Sequence, residues 1–192
     1  MPELSKLLKL IDSVPEYHSL LDELKQRSDT TVVVLDAARP YLVAALYESL
    51  RLPVLVVTAQ PENAKKLHEQ LLSWRASGLV RFFPEPDVLP YERLASDTTT
   101  EMERIQVLSA LAGCNGGETD VDLPLVVAST AALMSRTAPH RDFISACHTV
   151  KLGMDIPPFK LLGRLEAMGY QIENVVEVPG TVSHRGGIID IF

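Results

Sequence analysis

The sequence predicts an α/β protein in which a parallel sheet flanked by helices is followed by a smaller α+β lobe. Short β-branched and apolar runs at 30–35, 53–58, 80–83 and 125–128 alternate with stretches of helical periodicity. That alternation is what a parallel sheet with helices on both faces requires. From about residue 148 the order changes to strand, helix, strand, strand. The two patterns divide the chain into a lobe over 1–147 and a lobe over 148–192.

The elements follow in order. Residues 30–35 (TTVVVL) form a continuous apolar run, the pattern of a strand buried on both faces. A helix is expected over 39–50, where Leu42, Val43, Leu46, Tyr47 and Leu50 share one face. The run at 53–58 is the second strand, and 62–74 a helix with Leu67, Leu71 and Trp74 inward. Strands are expected again at 80–83 and 125–128, with a helix over 101–112 between them. Ser129 and Thr130 offer an N-cap for a short helix through Met134. The connection 84–97 holds three prolines and fits neither regular element. Residues 113–120, rich in glycine and polar groups, read as a surface loop. In the second lobe, strands are expected at 148–152, 172–178 and 187–191, and a helix over 158–168 carries Leu161, Leu162, Leu165 and Met168 inward.

Composition narrows the function. No apolar run approaches the roughly 18–20 residues that span a bilayer, and the amphipathic start, with its acids, lacks a secretory signal's pattern. A soluble cytoplasmic protein is expected. The net charge is −7, with 18 basic residues scattered among 25 acidic ones, so this chain lacks the clustered cations that duplex binding needs. Cys114 and Cys147 stand far apart without metal-ligand spacing, and the five histidines, His18, His68, His140, His148 and His184, are dispersed. No metal site and no catalytic set is expected.

The junction of the first strand and helix, residues 35–41 (LDAARPY), is where a nucleotide would bind. A phosphate-binding loop needs glycines, so that successive backbone N–H groups wrap the phosphates, and a Lys-Ser/Thr pair for charge and Mg²⁺. This junction has none of them. Asp36 adds a negative charge, and Pro40 removes a donor from the helix start. No bound cofactor is expected in this chain.

Three segments carry a resemblance. The first is FPEPDVLPYE at 83–92 with Ser96-Asp97, followed by Glu103-Arg104; the second is VVASTAAL at 126–133. The third comprises Gly169-Tyr170, VEVPG at 176–180 and RGGIIDIF at 185–192. Together they resemble the amino-terminal UvrB-homology module of the transcription-repair coupling factors (Mfd), from about residue 30 to the end. The resemblance implies a non-catalytic docking module. Its first lobe is then a degenerate RecA/UvrB-like ATPase lobe without a nucleotide site, and its second lobe binds UvrA, the damage sensor of nucleotide excision repair. It also implies a full-length ATP-dependent translocase, using Mg²⁺, that engages RNA polymerase and double-stranded DNA through regions absent from this chain. The final run at 188–192 is strand-like, so the chain reads as part of a longer protein, with the UvrA-binding lobe interrupted at Phe192. The alternative reading is the nucleotide-binding lobe of a UvrB-like DNA helicase with an unconventional loop.

By the same resemblance Arg185 matches an arginine that contacts UvrA, with Gly186 and Gly187 beside it. An arginine's planar fork suits an interface carboxylate, and side chains are absent from the next two positions. The alternative is a solvated arginine at a strand entrance whose glycines serve a bulge or turn. Glu177 and His184 lie near it in sequence and are the secondary candidates.

Overall fold

The computed structural model describes residues 4–74, 79–86, 98–113 and 123–192. The chain divides into two units, Met1–Arg136 and Thr137–Phe192. The 147/148 division read from the sequence lies within the second of these.

The first unit is built on a three-stranded parallel sheet. Strands β1 (Val54–Thr58), β2 (Val80–Phe83) and β3 (Leu125–Ser129) lie in the order β1-β3-β2. Val54 and Val80 both stand opposite Leu125. All five residues of β3 are buried, so it is the axis of the unit. Alternation along it supplies both faces. Leu125 and Val127 pack with Val80, Ala44, Ala45, Tyr47, Ala64 and Leu71, the last five from helices α2 (Arg39–Leu50) and α3 (Pro61–Leu71). Val126 and Ala128 pack the other way, with Phe83, with Val107 of helix α4 (Thr98–Leu111) and with Ala132 of helix α5 (Thr130–Met134). This is the expected parallel sheet flanked by helices.

Local chemistry sets the ends. Ser129 caps α5, its Oγ accepting the Ala132 N–H at 3.0 Å. A 3₁₀ segment, Leu4–Ser13, and helix α1 (Pro15–Lys25) pack Leu8, Tyr17 and Leu21 onto α2, and the Tyr17 hydroxyl meets Ser49 Oγ at 2.8 Å. Helix α2 ends at Arg51, whose left-handed φ of 51° closes the last turn with an N–H bond to Tyr47 O. His68, on α3, is half-buried, and burial lowers its pKa.

The run at 30–35 is a correction. It pairs with no strand among the described residues, and Val33 and Leu35 are 98% and 81% exposed. The segment instead lines a groove against Ile11, Tyr17 and Leu20. β-branched composition favours an extended backbone, but a strand also needs a ladder partner and a covering face. The 87–97 part of the proline-bearing connection, the 114–120 part of the glycine-rich loop and Cys114 lie outside the described residues.

The second unit holds helices α6 (His140–Ala146) and α7 (Pro158–Ala167) and a small mixed sheet. Strands β4 (Gln171–Ile172), β5 (Thr181–Arg185) and β6 (Ile188–Ile191) run in that order, β4 parallel and β6 antiparallel to β5. Two expectations are corrected. Residues 148–152 form no strand, and Leu152 is fully exposed before a turn through Gly153, where φ is +84°. The strand expected over 172–178 ends at Ile172, and the central strand is instead 181–185. Its sequence, TVSHR, has one aliphatic residue, the fully buried Val182. Thr181 and Ser183 are also buried, which their hydroxyls tolerate by donating to Val178 O at 2.6 Å and Asn174 O at 3.1 Å. Those bonds fold residues 173–180 onto β5.

Candidate docking site

The hairpin of β5 and β6 carries Arg185. Arg185 stands opposite Ile188, so Gly186 and Gly187 are the whole turn. Gly186 has φ +60°, as the first central position of a tight hairpin turn demands. An added Cβ at either glycine meets nothing within 4 Å, so both also leave open space beside the arginine.

Register decides which side chains meet. Ser183 pairs with Asp190 and His184 with Ile189. Alternation therefore turns Arg185 and Asp190 to one face and His184 to the other. The Arg185 Nη2 donates to Asp190 Oδ2 at 2.9 Å, with side chains 68% and 43% exposed. At that exposure the pair adds only about 0.2–1 kcal/mol to stability. His184 meets Phe159 of α7 edge-on, with ring centroids 5.7 Å apart. Phe159 is itself 78% exposed. Glu177 is exposed on the connection between β4 and β5, and no hydrogen bond or ion pair joins it to Arg185 among the described residues.

The sequence-derived set is thus brought together in part. Arg185, Gly186 and Gly187 form one solvent-facing corner, while His184 faces away and Glu177 stands apart. Asp190 and Phe159 were missed. Asp190 becomes legible only once 181–185 is known to be a strand, since counting across the Gly186-Gly187 turn then puts it diagonally beside Arg185. Phe159 had none, since its role depends on which helix face meets the sheet.

In the first unit, the junction at 35–41 forms a 3₁₀ turn, Asp36–Ala38, leading into α2. Arg39 pairs with Asp36 at 2.9 Å, both side chains exposed. The only cation of this junction therefore already faces a carboxylate. Among the described residues no group of His, Cys, Asp and Glu is arranged to hold a metal ion. No helix there is long and apolar enough to cross a membrane.

Comparison with known proteins bears out the resemblance read from the sequence. Residues 149–192 match the family model of the UvrB interaction domain. The chain is 31% identical over 183 residues to the transcription-repair-coupling factor of Myxococcus xanthus, covering 92% of this chain and 15% of that protein. It is 29% identical over 156 residues to that of Bacillus subtilis, covering 81% of this chain and 13% of the relative. With that of Mycobacterium tuberculosis it shares 28% over 186 residues, 97% of this chain and 15% of the relative. The chain thus spans only 13–15% of the length of these curated relatives.

Proposed function

We propose that this chain is a docking module through which a transcription-repair coupling factor recruits UvrA in nucleotide excision repair, and that it performs no chemistry of its own. The observation that carries the reading is the match of residues 149–192 to the UvrB interaction domain, with Arg185 exposed at the tip of a hairpin inside that match. Arginine is enriched among interface hot spots, and a rigid two-residue turn holds its backbone in one place. The chain is one region of a longer cytoplasmic protein. Engagement of RNA polymerase and duplex DNA, and the use of ATP with Mg²⁺ to displace a stalled polymerase, belong to other regions of that protein.

The absence of a nucleotide role is supported by the junction at 35–41. It offers no glycine and no lysine, and the carboxylate of Asp36 stands beside its arginine, where a phosphate would meet a negative charge. Two measurements test the proposal together. Titration of purified UvrA into the chain is expected to show saturable binding, and calorimetry with ATP and Mg²⁺ to show no heat of binding at millimolar nucleotide. Saturable nucleotide binding without UvrA binding would establish the helicase-lobe reading instead.

A further inference from the structure

We propose that Asp190 is the positioning residue of the docking site, holding the Arg185 guanidinium by one N–H and leaving the rest of the fork aimed at a carboxylate on the partner. The inference rests on the reading of residues 149–192 as the UvrA-docking region.

The geometry supports it in three ways. First, the contact is single: one Nη2–Oδ2 bond at 2.9 Å from β5 to β6. A guanidinium has five N–H donors, so four remain for a second acceptor, and a carboxylate matches that planar fork. Second, Asp190 sits on a strand that is itself in register with β5 across a two-residue turn, so the acceptor is fixed to the same rigid hairpin as the arginine. A long, mobile side chain tied at one end loses less freedom when it binds. Third, the other candidates do not compete. His184 is turned to the opposite face against Phe159, and Glu177 makes no ion pair with Arg185 among the described residues.

The sign follows from the same geometry. The partner's carboxylate takes donors that Asp190 does not use, so it need not displace Asp190, and the pair prepares the fork rather than blocking it. Because Asp190 offsets the charge of Arg185, it contributes nothing to long-range attraction of an acidic partner. Its effect falls on dissociation rather than on encounter.

The experiment is a surface-binding measurement of UvrA with the whole chain, its Asp190→Ala and Asp190→Asn variants, and both Arg185→Ala and the Arg185→Ala/Asp190→Ala pair. Asp190→Ala is expected to weaken binding about 3–10-fold, through faster dissociation with association unchanged or faster. Asp190→Asn keeps an acceptor oxygen and is expected to bind within about twofold of the unaltered chain. In the Arg185→Ala background, Asp190→Ala is expected to cause no further weakening. Melting temperatures of the variants separate this from loss of fold, since an exposed pair of this kind moves them little. Binding by Asp190→Ala as tight as, or tighter than, that of the unaltered chain overturns the positioning role and leaves the docking reading intact. So does an equal loss in the Arg185→Ala background. Failure of the unaltered chain to bind UvrA overturns both.

Discussion

Replacing Leu125 by alanine is expected to lower the stability of the first unit by about 3–5 kcal/mol. Leu125 is fully buried at the start of β3, and its N–H donates to Leu79 O at 3.0 Å. It stands opposite Val54 on one side and Val80 on the other. It therefore belongs to the central strand of the sheet, and its side chain fills space shared with α2 and α3. Partial collapse cannot close a cavity at that position, because the backbone on either side is fixed by ladder bonds. A loss of this size is a large fraction of the roughly 5–15 kcal/mol that holds a typical domain together. Leu55→Ala is the internal control. Leu55 lies on β1 opposite Val126, but it is 55% exposed, so its loss is expected to cost less than about 1 kcal/mol. Urea unfolding followed by the single tryptophan, Trp74, which packs against the same core, reads both variants. Equal midpoints for the two would show that β3 is not the structural axis.

Arg104→Ala is expected to cost about 2–4 kcal/mol by the same measurement, a second large effect with a different origin. Arg104, on α4, is only 9% exposed. Its Nη1 donates to Pro84 O at 2.5 Å, and its guanidinium carbon lies 4.1 Å from the centre of the Phe83 ring. Burial alone pushes its pKa below the ordinary arginine value, a sign that the charge is held out of water. Removing the side chain leaves the Pro84 carbonyl buried without this donor and uncovers Phe83. Arg104→Met separates the two contributions, since methionine restores most of the apolar contact but not the donor. A methionine variant is expected to recover part of the loss and no more. Full recovery would mean that packing alone accounts for Arg104, with the hydrogen bond contributing nothing.

The parts of the fold that were legible in the sequence are those whose composition and environment agree. Residues 54–58, 80–83 and 125–129 are apolar runs that do lie in one sheet, and Ser129 caps the helix it was expected to cap. Residues 30–35 look the same by composition and yet form no ladder, because partner and register are decided by the remainder of the chain. The reverse error is β5. Residues 181–185 (TVSHR) fall between the strands expected at 172–178 and 187–191, but the Thr181 and Ser183 hydroxyls are satisfied by Val178 O and Asn174 O, which makes a polar central strand tolerable inside a small sheet. Of the docking site, Arg185 and the two glycines entered through resemblance, whereas Asp190 follows from hairpin register only once 181–185 is known to be a strand. The separation of His184 from Arg185 depends on the same strand, since adjacent residues on a strand face opposite ways.

Recognition of UvrA through the exposed corner at Arg185, as proposed, is read out by titrating UvrA against the unaltered chain and against Arg185→Ala under identical salt. Arg185→Ala is expected to bind more weakly by about 1–3 kcal/mol, roughly five- to 150-fold, with no change in the urea midpoint, because the side chain is 68% exposed. Indistinguishable affinities for the two proteins would contradict it.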